Sequence, residues 1–502
     1  MKIQAQKIRQ TGLTLFHAGR QPSAVQECLL YLLPCLLFFT LYRYISPSAL
    51  SCAAAFGGLV TGLRLRATRE KSIQELIVFF LFFSALSLFV LGFWNLYSIG
   101  TLRWYPDTGV YETYSNNPLS DIYFWISGGR PFLTALVFKI FQRDFTAINY
   151  CYIIIYLLAV FLLFAAVSRM LNSAHDRMLS VYMLMLLFLN QHTIAFWVTN
   201  AMSETLSIAL TLLNIALFAY VASSPRNITT ALWKGNLLLG GIVVSTILLI
   251  GARDTNMYFI PVLVLFYWRY LPQRGQRIFL VLGLLLIFIT FNKGADLSGR
   301  WEFSLFNTLT RRIIPDEDLR RLFQQRYQLP SDDRIMSCQN VWASYSCPGK
   351  KTLETWIRHH GPEAYKHFLI THPLYAFQEW IKAWDEMQEE LWTLDFKPSY
   401  YADPLIREKK LNPFVFNFPG NISLPLMLAI ALTGVLFLAE NPLILFCLLH
   451  ALNQSFIAFH GDAMEVPRHC QQSAMTLKLA AVLCALQLFL DLKDTRKVPN
   501  AQ

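Results

Sequence analysis

The chain has 502 residues, 55% of them hydrophobic and only 15% charged, with a mean hydropathy of +0.39. That balance excludes a single soluble domain, in which about a quarter of residues carry charge. The formal net charge of +11 needs a negatively charged neighbour, and anionic lipid headgroups supply one without invoking nucleic acid.

The first 26 residues are polar and basic and lack an apolar core followed by a small-residue cleavage site, so they read as a cytoplasmic lead. Apolar runs then predict an all-α polytopic membrane protein with about 12 transmembrane helices. The runs lie at 28–45, 49–63, 76–97, 148–170, 178–196, 201–222, 236–252, 257–268, 278–292, 421–439, 441–458 and 470–490. The second and eighth fall short of the usual length of about twenty residues. Four parts follow: the lead at 1–26, a first transmembrane part at 27–292 holding an outer loop at 98–147, a mostly helical extracytoplasmic domain at 293–419, and a second transmembrane part with a short tail at 420–502.

Basic residues mark the cytoplasmic side of such a chain. Arg64, Arg66, Arg69, Lys71, Arg169, Arg177, Arg269, Arg274 and Arg277 all fall in even-numbered connections, and the termini add more. Both termini are therefore expected in the cytoplasm, with the loop at 98–147 and the domain at 293–419 on the opposite side.

Within that loop Pro106 and Asp107 suit the start of a helix, and Tyr111 follows one turn later. Asp107, Glu112, Asp121 and Arg130 lie among Trp104, Tyr105, Tyr111, Tyr114, Tyr123, Phe124 and Trp125, an aromatic set suited to sugar rings and to a membrane interface alike. The loop ends in PFLTALVFKIF, apolar at helical spacing and too short to cross, which is expected to lie flat at the interface.

Span five leads into His192, Trp197, Asn200, Ser203 and Glu204, and span seven ends at Arg253 and Asp254, all on the outer side. In the outer domain PDEDLRRLFQQRY, TLETWIRHH, PEAYKHFLI and AFQEWIKAWDEMQEELW each predict a helix, with proline or acidic starts. Of nine cysteines, Cys338 and Cys347 alone lie in this outer domain, so an oxidising compartment would allow them to pair. Before the last span, HGDAMEVPRHC concentrates His460, Asp462, Glu465, Arg468 and His469, and Lys478 lies inside the span itself.

The outward acids and cations suit transfer from a lipid phosphate. Cations hold the leaving phosphate, and a carboxylate takes the proton of the attacking hydroxyl. Plainer readings stand beside this one. Asp107 and Glu204 also suit helix N-termini, Arg253 with Asp254 and Glu465 with Arg468 also suit local ion pairs, and Lys478 could snorkel. His359, His360, His367 and His372 lack a tight ligand pattern, so no metal site is expected and no cofactor is predicted, with a divalent cation left open.

The order of D-x-x-x-Y (Asp107 to Tyr111), Arg130–Pro131 before an apolar run, Ser203–Glu204, the Arg253 turn, Y-x-x-F-L-x-x-H-P (Tyr365 to Pro373) and E-x-x-R (Glu465 to Arg468) resembles the GT-C class of polytopic glycosyltransferases. The resemblance spans most of the chain, although each motif is short. It implies an inverting transfer from a polyprenyl-phosphate sugar donor to a glycan, lipid or protein acceptor, at the periplasmic or extracellular face of a bacterial inner (plasma) membrane. By its motifs Asp107 is then the base and Arg253 and Arg468 contact donor phosphate; beside them we take Lys478 and His469 as candidate phosphate contacts and Tyr111, Glu112, Arg130, Glu204, Asp254 and Glu465 as candidate substrate-site residues. The chain departs from the class in having no paired acidic motif in the first loop, no W-W-D motif and two extra leading spans. An O-antigen ligase or polymerase is a neighbouring reading, and a transporter or flippase of lipid-linked sugars is a different one.

Overall fold

The computed structural model describes residues 106–126, 130–171, 174–189, 201–223, 232–271, 273–388, 422–438, 441–464 and 466–495. The first three predicted spans, and with them Trp104, Tyr105, His192, Trp197, Asn200 and Glu465, lie outside the described residues.

Every regular element among the described residues is helical. In chain order these are α1 (Pro106–Tyr114), α2 (Ile122–Ile126), α3 (Phe132–Ile140), α4 (Phe145–Arg169), α5 (Ala174–Leu189), α6 (Ser203–Ser223) and α7 (Leu232–Ala252). A 3-10 turn (Asp254–Phe259) leads to α8 (Ile260–Tyr270), α9 (Arg274–Ser298) and α10 (Trp301–Thr308), which runs into a π turn (Leu309–Ile313). Then come α11 (Glu317–Tyr327), α12 (Asp333–Met336), α13 (Lys350–Thr371), α14 (Pro373–Lys382), α15 (Trp384–Gln388), α16 (Leu424–Leu436), α17 (Pro442–Gly461), α18 (Val466–His469) and α19 (Gln471–Thr495).

Five of these, α4, α6, α9, α17 and the first 21 residues of α19, are long and apolar enough to cross a bilayer. The chain is a helical membrane protein. Helices α4 and α6 pack along one another at the centre, as do α17 and α19. The membrane-length window of α6 is 78% buried, whereas that of α9 is 28% buried. Among the described residues α9 is peripheral and shows Phe279, Leu282, Leu286 and Ile289 outward, an apolar face that suits lipid.

The helix ends follow local chemistry. Asp144 caps α4 by accepting from the N–H groups of Thr146 and Ala147, and Ser423 caps α16 by accepting from that of Leu426. Gly299 ends α9 at φ +63°, the left-handed position that stops a helix, so the ninth predicted span runs on past 292.

Three further expectations change. Helix α3, expected to lie flat on lipid, buries Phe132, Leu133, Thr134, Ala135, Val137 and Phe138 against protein. It packs on α7, α1 and α6. Gly251 of α7 makes room for it, since an added Cβ would stand 2.3 Å from the Phe132 ring, so a larger residue there would force that ring to shift. TLETWIRHH and PEAYKHFLI form the single helix α13, with Pro362 inside it. Their apolar stripe (Leu353, Trp356, Ile357, Gly361, Ala364, Phe368) keeps one register through the proline and faces one core, which outweighs the lost backbone hydrogen bond. Tyr114, Phe124, Trp125 and Phe132 touch in sequence with ring centres 5.3, 5.3 and 5.2 Å apart, the first pair stacked, the second edge-to-face and the third tilted, so part of the loop's aromatic set packs on itself.

The segment expected to be the outer unit has its own core, with Phe306, Leu309, Phe323, Leu353, Trp356 and Phe368 at its centre. Cys338 and Cys347 are bonded there, with Cα atoms 5.3 Å apart.

Candidate functional site

Asp107 lies in the first turn of α1, whose opening Pro106 takes a position where no backbone donor is needed. Thr108 Oγ1 donates to the carbonyl of Ala201 at 3.1 Å and so fastens that turn to the entrance of α6. Glu204 is the second residue of α6, Arg253 follows the end of α7, and Arg468 and His469 close the short helix α18. These are ends of separate elements meeting at one end of the bundle.

Both oxygens of Asp107 are held. Arg130 Nη2 donates to Oδ1 at 2.9 Å and Arg468 Nη2 to Oδ2 at 2.6 Å. The Nε of Arg468 donates to Glu204 Oε1 at 2.7 Å, and Ser203 Oγ lies 3.4 Å from Glu204 Oε2. Exposure falls along this chain, from 36% for the Arg130 side chain and 25% for Asp107 to 10% for Arg468 and 2% for Glu204. The Arg130 guanidinium also lies 5.8 Å from the Tyr111 ring centre, within cation–π range.

Burial alone would raise the Asp107 carboxyl, but the charges and hydrogen bonds of Arg468 and Arg130 hold it below its ordinary value. Burial pushes the Tyr111 phenol up, so it stays protonated.

Arg253 Nη2 contacts His469 Nδ1. Desolvation, then the charges of Arg253, Arg468 and Arg130, hold His469 well below its ordinary value, so the ring is neutral. An arginine can only donate, which leaves Nδ1 as the acceptor and the ring proton on Nε2. The other terminal nitrogen of Arg253, Nη1, has no hydrogen-bond partner among the described residues, although the residue is only 7% exposed. A buried guanidinium nitrogen without an acceptor is an open position for an anion.

Beneath this layer lies a buried amide and hydroxyl network. Gln454 Nε2 donates to Asn256 Oδ1 at 2.7 Å, Asn256 Nδ2 to Ser207 Oγ at 3.1 Å, and Gln472 Nε2 to Thr211 Oγ1 at 2.8 Å. It ties α6, α17, α19 and the turn after Arg253 together, which fixes the ends that carry the charged groups.

The other expected residues are placed differently. Asp254 turns away from Arg253 and pairs with Arg300 at 3.3 Å, so the local pair expected of the two neighbours does not form. The reason is backbone geometry, since Arg253 is extended (φ −154°, ψ 118°) and Asp254 begins the turn. Glu112 is half-buried and enters none of the ion pairs among the described residues. Asp121 caps α2, its Oδ1 accepting from the Tyr123 N–H at 2.9 Å. Lys478 is buried about two turns into α19, roughly 10 Å along the axis from its first residue. His359 and His360 are exposed, and His367 contacts the Tyr327 hydroxyl. No group of three or more histidine, cysteine or acidic side chains among the described residues could hold a metal ion.

Sequence reasoning missed Arg300 and the amide network. Ser203, Ser207, Thr211 and Asn214 recur at three and four spacing along an apolar helix, a stripe that must face protein, and that spacing was available to find the network. Comparison with protein-family models, with curated proteins and with solved structures returned no match.

Proposed function

We propose that the chain is an inverting glycosyltransferase that moves a sugar from a polyprenyl-phosphate-linked donor to a glycan, lipid or protein acceptor. The observation that carries this reading is the open Nη1 of buried Arg253 in the same layer as the Asp107–Arg468–Glu204 chain. Among the ionic residues gathered there, Arg130, Arg253, Arg300 and Arg468 outnumber Asp107, Glu204 and Asp254 by one, an excess that favours an anionic ligand. The setting at the end of membrane-length helices suits a ligand with an apolar tail.

In this reading the acceptor hydroxyl oxygen attacks the anomeric carbon as the bond from that carbon to the donor phosphate oxygen breaks. The phosphate leaves with the bonding electron pair and the hydroxyl proton passes to Asp107. One displacement inverts the anomeric centre. With both oxygens held by arginines, Asp107 is a weak base at rest. An arriving phosphate competes for Arg468 and draws it from Asp107, which restores basicity only when donor is bound.

The same proposal has about twelve spans, both termini in the cytoplasm, and the Asp107 end on the periplasmic or extracellular side of a bacterial inner membrane. Its test is the Asp107→Asn variant, purified in folded form and supplied with a polyprenyl-phosphate sugar and acceptor. Transfer is expected to be lost, and turnover at the wild-type rate would remove Asp107 from the mechanism.

A further inference from the structure

The outer unit does not stand wholly above the bundle. Trp380 of α14 donates from Nε1 to Ser455 Oγ at 3.2 Å, and its ring centre lies 6.1 Å from that of Phe456. Ser455 and Phe456 precede Gly461, the end of α17 nearest Arg468, by five or six residues, roughly 8 Å along the helix axis. Helix α14 therefore meets α17 inside its apolar length.

A separate measure gives a similar depth. Helix α16 has 13 residues and covers about 20 Å, some 10 Å less than a hydrocarbon core of about 30 Å. Its start is held by α15. The Ile422 carbonyl accepts from Trp384 Nε1 at 2.7 Å and from Gln388 Nε2 at 3.0 Å, while the Ile422 N–H donates to Gln388 Oε1 at 2.7 Å. A short helix whose first residues are anchored to α15 puts α15 at the level the helix fails to reach.

On α14 the side turned away from the described residues carries an apolar ridge, while the exposed residues of α15 are the acids Asp385 and Glu386. Leu374 is 75% exposed, Phe377 is 52% exposed and Ile370, one turn earlier, is 77% exposed. Phe377 lies 5.5 Å from Trp380, so the exposed ridge is continuous with the rings that touch α17. Lys382 pairs with Glu379 at 2.6 Å and is 71% exposed, a charged group able to reach headgroups from the same helix. An amphipathic helix with its buried side on a bundle and its free side apolar is built to lie along a bilayer.

We infer that α14 and α15 form an elbow seated at the headgroup–acyl boundary of the leaflet on the Asp107 side, with phospholipid acyl chains against Leu374 and Phe377. The outer unit is thereby anchored in lipid as well as joined to the chain.

The test is photo-crosslinking of the full chain in phosphatidylcholine and phosphatidylglycerol nanodiscs, with p-benzoylphenylalanine placed singly at Leu374, Phe377, Leu286 or Glu363. Leu286 projects from the uncovered side of α9 and Glu363 is exposed on the polar side of the outer unit. Phospholipid adducts at Leu374 and Phe377 are expected at a yield close to that at Leu286 and well above that at Glu363. Yields at the level of Glu363 would overturn the inference, as would adducts only to other residues of this chain or to a second copy. If one of the two elbow variants fails to assemble, the other reads the same surface.

Discussion

Arg468 and Asp107 stand 361 residues apart in the chain and meet at 2.6 Å, and the same guanidinium reaches Glu204 at 2.7 Å. One arginine thus joins the first described helix, the start of α6 and the short helix α18 before α19. Its two carboxylate partners differ in environment, since the Glu204 side chain is 2% exposed and that of Asp107 is 25% exposed. The arginine is therefore sealed from water on its Glu204 side and open to water on its Asp107 side.

Replacing Arg468 with alanine leaves buried Glu204 without its hydrogen-bonded cation and with only the weaker pull of the Arg253 charge, a loss of up to about 3–5 kcal/mol. A large drop in the thermal midpoint is expected, with partial recovery in the Arg468→Ala, Glu204→Gln double variant, because the charge left behind is then removed. Equal losses in both variants would show that Glu204 needs no partner.

Arg253 makes the opposite prediction. Its Nη1 is buried without an acceptor and makes no hydrogen bond at rest, while its charge helps Arg468 hold the Glu204 carboxylate ionised. Arg253→Met is expected to cost less stability than Arg468→Ala, since it removes only the weaker of the two attractions acting on Glu204, while weakening the binding of a polyprenyl phosphate. Binding measured in nanodiscs beside a melting curve separates the two effects, and a large loss of stability would give Arg253 a structural role.

Gly251 sets the distance between α3 and α7, and so between Arg130, just before α3, and Arg253, just after α7. Gly251→Ala puts a methyl group into the Phe132 ring and should cost about 1–3 kcal/mol. Phe132→Leu in the same chain relieves the clash, so the double variant is expected to melt above the Gly251→Ala single variant.

Asp462, just past the end of α17, has its carboxyl raised to about 6, chiefly by burial, although Asn307 Nδ2 and the Met464 N–H donate to it. A carboxyl raised in the folded state binds its proton more tightly there than in the unfolded chain. Its contribution to stability is therefore present at low pH, falls as pH rises from about 4, and is lost above about 6. Asp462→Asn keeps the acceptor oxygen and cannot ionise. The melting difference between variant and wild type should shift in favour of the variant from pH 4 to pH 7, and a flat difference would contradict this.

Within the described residues hydropathy located the apolar helices, five of them long enough to cross a membrane, because any run of about twenty apolar residues must find lipid or protein. It also marked Asp107, Arg130, Glu204, Arg253, Arg468 and His469 as polar groups at helix ends on one side. Partners were less legible. Neighbouring Arg253 and Asp254 diverge because one extended residue turns their side chains to different groups, and Arg300 showed no pattern of its own. In the outer unit the apolar stripe was legible, but that α13 runs unbroken through Pro362 was decided by the core on which it packs.

The sequence by itself determined a helical membrane chain with its charged groups at the ends of apolar helices, since the cost of burying charge in hydrocarbon acts on each segment separately. Only the tertiary structure decided that Arg468 bridges Asp107 and Glu204 while Arg253 keeps a nitrogen open. Such pairings depend on a few ångströms set by contacts like that of Gly251 with Phe132, and no local pattern in the chain encodes a distance between residues hundreds of positions apart.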